Sequence, residues 1–417
     1  MRRLVVAVVL LSVACQAADV VPPLPPIVLE TPDAWRGSEI ALQSAAFLDD
    51  TLPEVHLGGV VAPVRYLGGE RIAVRLPDSA ATFSVSIWFR DGRVGVADPV
   101  TSGGALVSRG QGLQLQGPMA WPQRHGGQVV AGVGDNVKLV RLADPGVATS
   151  LPIPDSLAVS WCLTSGPGPS FTNGFVTGAR IGPYCGTVAW SYDPAGQLVM
   201  RDSSSFGVES AVHVGSGAWV SWFSHAYYRI RPNSHLLLQA VEGAHATLSP
   251  RGDLVAPSDG QVDPALGIPV FAAESAAVVY RLAGRLIGGS DFSVGGDTLF
   301  IGLGSSQGVF TIVAANATTG AILGSSDSIP SSDRATLQAE PSRPWLYFMV
   351  LDSALRPSVF VLDRRTMQIA ARLRIPDAEW TQPPLHQWWF LFLDAGSRKL
   401  YLYDTRSGAE YVFSLLP

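Results

Sequence analysis

The feature that most constrains the fold is a strand and turn unit that recurs along the second half of the chain. Its clearest copy runs from Ser342 to Pro376, where two apolar runs, 345–351 and 358–362, are joined by a turn and followed by an alternating segment, 368–375. This pattern is typical of three antiparallel strands joined by tight turns. Because one small sheet is only marginally stable in water, the unit requires neighbours of the same kind.

Polar corners with the same turn chemistry follow three of the apolar strands. Each corner begins with Asn or Asp, which caps a turn, and closes at a residue that must tolerate a positive φ. The corners are 316–320, 363–367 and 404–408. A still more apolar run precedes each of these strands. Continuous apolar character predicts a strand covered on both faces, and we interpret these runs as the innermost strands of a radial array.

Extending this register upstream predicts seven innermost strands, spaced by about 36 to 47 residues as in propeller repeats. Residues 105–417 are therefore predicted to form a β-propeller of seven blades. The last blade has three strands before Pro417, and a spare strand lies at 105–117, before the first blade. Pairing the two would close the ring and remove two exposed sheet edges. The predicted innermost strands begin near Val129, Phe175, Ala218, Leu254, Thr298, Trp345 and Trp389.

At these residues the chain resembles the YVTN-type and quinoprotein-like β-propellers, in which a strand ends in Asp-x-x-Thr-Gly before the next strand. The resemblance in architecture covers residues 105–417, and the motifs match from Leu248 onwards. It implies a fold and not a chemistry. Two functions stay open: a non-enzymatic binding scaffold, which we favour, and a quinoprotein-like or lyase-like enzyme with its site at the channel mouth.

Composition favours an all-β protein that does not bind nucleic acid. Gly (43) and Pro (31) are abundant, and no sustained helical periodicity occurs after the first residues. Lysine occurs only at Lys138 and Lys399, and the net charge is −5. A phosphate backbone is followed by a basic patch, and the sequence offers none.

The first fifteen residues predict an exported lipoprotein. Two arginines precede Leu4–Ala14, an apolar run of about eleven residues that is too short to span a bilayer. The end of the run, Leu11-Ser-Val-Ala-Cys15, resembles a bacterial lipobox, whose cysteine is lipidated and becomes the mature N terminus. By this resemblance Gln16 implies sorting to the outer membrane of a Gram-negative-type cell envelope, on its periplasmic or outer side. Cleavage two or three residues later, with Cys15 discarded, is the alternative.

Two further segments precede the repeats. Residues 16–32 are rich in proline and predict an extended, polyproline-like spacer. Residues 33–100 alternate as half-buried strands do, which predicts a small β-sandwich. Within them, 37–42 and 71–77 resemble the immunoglobulin-like IPT/TIG domains, which implies a spacer or binding unit. Residues 98–104 are the predicted hinge.

The other two cysteines are Cys162 and Cys185. Since an exported chain enters an oxidising compartment, we expect a disulfide between them. A thiol or metal site is the alternative, but two cysteines without nearby histidines have poor metal-binding spacing.

Motifs of the common enzyme classes are missing from the sequence. It has no haem-attachment motif, no nucleophile elbow, no zinc-binding His-Glu-x-x-His and no phosphate loop. We therefore predict no catalytic residue, no cofactor and no metal. Arg251-Gly-Asp253 is interpreted as a propeller turn rather than an adhesion signal. The tryptophans at 345, 388 and 389 are interpreted as core residues.

One set of polar residues remains as a candidate site. The residues that precede innermost strands surround the mouth of the central channel, where ligands bind on this fold. Histidine and arginine side chains that converge there would hold an anionic group, with a metal as the weaker alternative. The expected partner is an unknown protein, glycan or envelope component, with the membrane contacted through the lipid anchor. The predicted mouth residues are His125, His213, Arg251, Asp297, Arg343 and His386.

Overall fold

The computed structural model describes most of the chain after the first twenty-one residues. The described residues are 22–30, 33–48, 51–78, 82–104, 106–110, 120–125, 128–133, 136–141, 144–152, 170–172, 175–181, 187–193, 195, 197–204, 210–214, 217–222, 226–231, 234–240, 245–259, 265–275, 277–304, 309–330, 333–351, 356–375, 389–404 and 410–416.

The regular structure of these residues is β-strand throughout, which confirms the all-β prediction. Among them no helix is long and apolar enough to cross a membrane. The chain divides into two compact units. Unit 1 comprises Met1–Pro32, Glu39–Arg75 and Phe83–Val100, and unit 2 comprises Asp33–Ser38, Leu76–Thr82 and Thr101–Pro417.

Unit 1 is built from strands of two sheets, while β2 and the last residues of β9 are counted with unit 2. In β3 and β8 every second residue is buried, and Leu42, Val55, Val85 and Ile87 are fully buried. This alternation is typical of a β-sandwich, and its IPT/TIG-like identity stays a prediction. The first sheet has the order β1 (Val28–Leu29), β3 (Glu39–Gln43), β7 (Arg71–Arg75), β6 (Val64–Gly68), and the second has the order β2 (Asp33–Trp35), β9 (Val94–Gly103), β8 (Thr82–Trp88), β4 (Glu54–Leu57), β5 (Val60–Ala62).

The described part of the proline-rich stretch packs on unit 1 instead of forming a free spacer. Its strand β1 pairs antiparallel with β3, Glu30 forms an ion pair with Arg71 at 2.6 Å, and the Pro22 carbonyl accepts a hydrogen bond of 3.1 Å from Arg93 Nη1. Val28 and Leu29 can join the sheet because they carry the N–H groups that proline lacks. A spacer remains a prediction for 16–21, which lie outside the described residues.

The strands of unit 2 that the structure describes form seven antiparallel groups of four, here called blades 1 to 7. Blades 1 to 4 are β11 (Ala120–His125), β12 (Gln128–Val133), β13 (Asn136–Arg141), β14 (Asp144–Pro152); β15 (Ser170–Thr172), β16 (Phe175–Ile181), β17 (Thr187–Tyr192), β18 (Leu198–Ser204); β19 (Ser210–Val214), β20 (Gly217–Trp222), β21 (Ala226–Arg231), β22 (Ser234–Ala240); and β23 (His245–Leu248), β24 (Leu254–Asp259), β25 (Ile268–Ala272), β26 (Val278–Leu282). Blades 5 to 7 are β27 (Arg285–Phe292), β28 (Thr298–Gly304), β29 (Val309–Asn316), β30 (Ile322–Ser325), with β31 (Ile329–Pro330) also on β29; β32 (Asp333–Ala339), β33 (Trp345–Leu351), β34 (Pro357–Asp363), β35 (Gln368–Arg374); and β36 (Trp389–Asp394), β37 (Lys399–Asp404), β38 (Glu410–Ser414) with β10 (Leu106–Gly110).

The seven blades form a closed ring, which is the β-propeller that the repeats predict. The first strand of each blade contacts the first strand of the next, and β36 of blade 7 contacts β11 of blade 1. Blade 7 is completed by β10, which pairs antiparallel with β38. The predicted pairing of a spare N-terminal strand with the last blade is thus confirmed, and it leaves no unpaired strand at this seam.

The innermost strand was predicted wrongly in six of the seven blades. The predicted apolar runs are β12, β16, β20, β24, β28 and β33, which are second strands, and only Trp389 opens a first strand. The reason is burial: second strands lie between the faces of neighbouring blades, as the almost fully buried β33 shows. The first strand β27, which borders the channel, carries Gly288, Gly289 and Ser290 in its middle. Apolar character therefore marks the strands between blades, not those at the axis.

Trp35 belongs to the propeller unit, although it precedes the repeats by seventy residues. It is 2% exposed and lies in the core shared by blades 6 and 7. Its ring makes edge contacts with Trp345 (5.7 Å) and Tyr347 (6.1 Å). Its strand β2 pairs in parallel with Thr101–Gly103 of β9, so most of the predicted hinge is strand.

The prediction that Trp345, Trp388 and Trp389 are core residues holds for the two that the structure describes. Trp389 is 7% exposed, and Trp345 packs against the same core of blades 6 and 7. Trp388 lies outside the described residues.

Candidate functional site

One end of the propeller carries the charged residues that the sequence singled out. In an antiparallel four-stranded blade, the first and third turns lie at the same end. We call this end the turn face. Its described turns are 249–253 in blade 4, 293–297 and 316–320 in blade 5, 340–344 and 363–367 in blade 6, and 395–398 in blade 7.

The first turns of blades 4 and 5 are built in the same way. Ser249 Oγ donates to Asp253 Oδ1 at 2.5 Å and accepts the Leu254 N–H at 3.2 Å. Ser293 Oγ makes the equivalent bonds to Asp297 Oδ1 at 2.5 Å and from the Thr298 N–H at 3.1 Å. The interpretation of Arg251-Gly-Asp253 as a turn is confirmed, since Gly252 has a φ of 74° and its N–H bonds to the Ser249 carbonyl.

The third turns use the predicted corner chemistry. Asn316 Oδ1 accepts the N–H groups of Thr318 and Thr319 at 3.0 and 2.9 Å, and Gly320 closes the turn at a φ of 73°. In blade 6 the closing residue is Met367, at a φ of 58°. The third predicted corner differs, because Asp404 ends a second strand, and the rest of that corner lies outside the described residues.

Blade 6 replaces the turn serine with Glu340, and this change joins two blades. Glu340 is fully buried, and its Oε2 accepts the Tyr347 hydroxyl at 2.6 Å. Its Oε1 accepts a hydrogen bond from Arg398 Nη1 of blade 7, and Arg398 Nε donates to the Leu416 carbonyl at 2.6 Å. Burial, together with the carboxylate of Glu340, raises the pKa of Tyr347 above its usual range. The Glu340 carboxylate thus links blades 6 and 7.

Polar side chains on the first strands also join neighbouring blades. Thr247 Oγ1 donates to the Ser290 carbonyl at 3.1 Å, which links blades 4 and 5. Asp291 Oδ2 accepts the Ala339 N–H at 2.7 Å, which links blades 5 and 6. Gln338 links blades 6 and 7 twice. Its Nε2 donates to the Leu391 carbonyl at 2.7 Å, and its Oε1 accepts the Leu393 N–H at 2.8 Å.

A row of arginines crosses the turn face of blades 4 to 6. Arg251 is exposed and lies beside the first turn of blade 5. The pKa of Asp297 in that turn is lowered mainly by the hydrogen bond from Ser293, and the charge of Arg251 lowers it further. Arg364 donates to the Arg343 carbonyl and lies in the field of several carboxylates, Asp297 among them. In the described structure, neither Arg251 nor Arg343 forms an ion pair. Two guanidinium groups at this end are therefore available to an anion.

The structure places five of the six predicted mouth residues at first turns. His125 ends β11, His213 lies one residue before the end of β19, and the other three lie in the first turns of blades 4, 5 and 6. Side-chain interactions connect Arg251 to Asp297, and they connect Arg364 both to Asp297 and to the Arg343 carbonyl. His386, Cys15, Cys162 and Cys185 lie outside the described residues.

Sequence reasoning missed the residues that fasten this end of the ring. They are Asp291, Gln338, Glu340, Arg364 and Arg398. Aligning the first turns would have found Glu340, since it stands where blades 4 and 5 have serine. No group of three or more potential metal ligands occurs among the described residues.

Asp291 is expected to make stability depend on pH. Burial raises its pKa to about 6, against the opposing effect of two backbone N–H groups and Arg364. A raised pKa means tighter proton binding in the folded state, so this stabilisation is complete below about pH 3.8 and is lost as pH rises through about 6. Relative to Asp291→Asn, the wild type should lose stability between pH 4 and 6, by at most about 1.4 kcal/mol per pH unit.

Urea denaturation at several pH values measures this difference. Asp297→Asn is the matched control of opposite sign, because the pKa of Asp297 is lowered and its contribution is lost as pH falls below the usual aspartate range. Parallel pH profiles for wild type and Asp291→Asn would contradict the assignment.

Comparison with known proteins supports the fold. No protein-family model and no curated protein matches the sequence. Among solved structures, a chain of the mitotic checkpoint complex is similar with a TM-score of 0.50 and 13% identity, over 76% of this chain and 94% of that chain. BamB from Moraxella catarrhalis is 14% identical, with a TM-score of 0.41, over 85% of this chain and 94% of that one. At 13% identity, the likeness to the mitotic checkpoint chain concerns the fold alone and says nothing of function.

Proposed function

We propose that this protein is a non-enzymatic binding scaffold of the bacterial cell envelope. In this proposal Cys15 is acylated and holds the chain on the outer membrane, and the propeller binds a partner. The lipobox-like end of the first fifteen residues supports the anchor. The rigid ring of blades supports the scaffold, since it presents many turns on fixed strands.

The partner that the turn face fits best is a protein segment rich in carboxylates. The observation that carries this is the pair Arg251 and Arg343, two guanidinium groups without an ion pair, set in one row by the turns of blades 4 to 6. Guanidinium groups bind carboxylates in a bidentate manner. Glu340 is paired with Arg398 within the ring, and Asp297, whose charge interacts with Arg251, forms no ion pair with it in the described structure.

Replacing both arginines should weaken binding of an acidic probe. We expect Arg251→Ala with Arg343→Ala to reduce affinity for a fluorescein-labelled deca-glutamate by about tenfold, because each exposed charge pair contributes up to about 1 kcal/mol. Fluorescence anisotropy measures the affinity, and salt should weaken it in the wild type.

The matched control is Arg285→Ala with Arg374→Ala, which removes two arginines from the opposite end of blades 5 and 6. It should leave the affinity unchanged. Equal losses in both double variants would reduce the effect to net charge and overturn the assignment of the turn face.

A further inference from the structure

The second sheet of unit 1 carries an exposed apolar cluster on its outer face, among polar residues such as Ser84 and Glu54. Along β8 the residues Phe83, Val85 and Ile87 point inward, while the alternate residues point outward and end at Trp88. Trp88 is 49% exposed. A large aromatic side chain half in water on a flat sheet is unusual for a residue without a role.

Two exposed valines of β9 lie beside Trp88 on this face, and Glu54 of β4 lies directly opposite Trp88. The hairpin that joins β8 to β9 is closed by the Phe89 N–H on the Arg93 carbonyl at 2.9 Å, which places Trp88 opposite Val94. Val94 is 45% exposed and Val96, two residues further on the same face, is 72% exposed. On the same face, at the edge strand β5, the exposed Val61 pairs with His56 of β4.

Two of the polar groups on the face, His56 and Glu54, are engaged with each other. His56 Nε2 lies 2.5 Å from Glu54 Oε1, and the His56 ring lies 5.7 Å from the Trp88 ring. Exposed aliphatic groups with an amphipathic tryptophan are typical of residues at a lipid interface. Arg90, exposed just beyond Trp88, supplies a cation that lipid phosphates attract.

The chain brings this face close to the proposed anchor. Pro22 is fixed at the hairpin between β8 and β9 by the hydrogen bond from Arg93, and Leu24 and Ile27 lie at the inward side of Gly95, on the face opposite to Val94 and Val96. Seven residue steps separate Cys15 from Pro22 (22 − 15 = 7), and these span at most about 25 Å when extended. A face tethered at this distance meets the bilayer at a high effective concentration, so a modest apolar area is enough to hold it there.

We propose that the face formed by Val61, Trp88, Val94 and Val96 rests on the membrane that the acyl chains of Cys15 enter, with Trp88 at the depth of the lipid headgroups. This rests on the anchor in the proposed function. It adds a second membrane contact, which fixes the orientation of unit 1 at the lipid surface. A single lipid chain binds a membrane weakly, and a second membrane-binding element makes the attachment stable. The apolar cluster adds one such element to the acyl chains of Cys15.

The test uses an artificial anchor, so that it does not depend on acylation. Residues 1–15 are replaced by a hexahistidine tag, and the chain is bound to vesicles of phosphatidylethanolamine and phosphatidylglycerol that contain a nickel-chelating lipid. Some phospholipids carry brominated acyl chains, which quench nearby tryptophan fluorescence. We expect brominated lipid to quench more tryptophan fluorescence in the wild type than in Trp88→Phe. The difference should equal the contribution of one tryptophan among the eleven in the chain.

Two surface variants locate the contact. Val94→Asp with Val96→Asp keeps Trp88 but should abolish its quenching. Val278→Asp with Val279→Asp, at exposed valines of β26 in the propeller, should quench like the wild type. Equal quenching of wild type and Trp88→Phe would overturn the proposal. So would a Trp88 response to soluble murein fragments in the absence of quenching by lipid, which would assign the face to a glycan.

The anchor is tested separately, by the mass of the N-terminal peptide of the full chain made in a Gram-negative host. Acyl chains on Cys15, absent from Cys15→Ser, are expected. An unacylated wild type would remove the anchor from the proposed function, whereas the vesicle result would still decide whether the face binds lipid.

Discussion

Replacing Trp35 with alanine is expected to lower the free energy of unfolding of the propeller by about 3–5 kcal/mol, as for other fully buried tryptophans. Trp35 fills the core between blades 6 and 7, in contact with Trp345 and Tyr347. Blade 7 is also the blade that β10 completes, so the cavity would open beside the closure of the ring. Trp35→Phe should recover part of the loss, since a smaller ring leaves a smaller cavity.

Urea denaturation followed by hydrogen exchange measures this effect where it is expected. Because the chain has two units, a single transition cannot be assumed, and amide exchange in β33 to β38 reports on blades 6 and 7. Trp88→Ala is the matched control, because Trp88 is 49% exposed and its loss should cost less than about 1 kcal/mol. Similar losses in the two alanine variants would contradict the assignment of Trp35 to the propeller core.

The architecture of the ring could be predicted because its signals are local and repeated. A capping Asn316 or Asp363, followed by a residue at positive φ, marks a turn wherever it occurs. Closure by β10 follows from a count of strands, since the last blade lacks one. These inferences need no knowledge of contacts between distant residues.

Trp35 and the order of the strands could not be predicted, and the reasons are physical. Trp35 lies on a strand of three residues whose partner residues are sixty-eight positions away (103 − 35 = 68), and no periodicity reveals such a parallel pair. The apolar runs identified strands covered on both faces. In a ring of blades these are the middle strands, whereas first strands such as β27 carry glycine and serine.

A propeller truncated at residue 105, as the repeats alone suggest, would lack part of its own core. The segments 33–38, 76–82 and 101–104 belong to unit 2. Gly104 shows how closely they fit, because its φ is 93° and a Cβ there would lie 2.5 Å from Leu373 Cδ2. The candidate site was predictable only in part for a similar reason: arginines in turns are visible in the sequence, but their partners on other blades are not.

Replacing Glu340 with glutamine is expected to cost about 3–5 kcal/mol of stability, because a buried pair that loses one charge leaves the other uncompensated. Glutamine can still accept the Tyr347 hydroxyl, but the Arg398 guanidinium, which is largely buried, keeps an uncompensated charge. The control is Arg365→Ala, which breaks the exposed pair with Asp363 and should cost at most about 1 kcal/mol. Thermal and urea denaturation compare the two variants.

The same variants separate the charges that build the turn face from those that bind at it. Replacing both partners, Glu340→Met with Arg398→Met, should restore most of the stability, since an apolar pair needs no compensation. Glu340→Gln should leave the affinity for deca-glutamate unchanged under conditions in which it stays folded, because its carboxylate is engaged within the ring. Arg251→Ala with Arg343→Ala should do the reverse and lose affinity without losing stability. If Glu340→Gln and the double variant Arg251→Ala with Arg343→Ala each lower both stability and affinity, the residues that link the blades also form the binding site, and the division between the two sets is wrong.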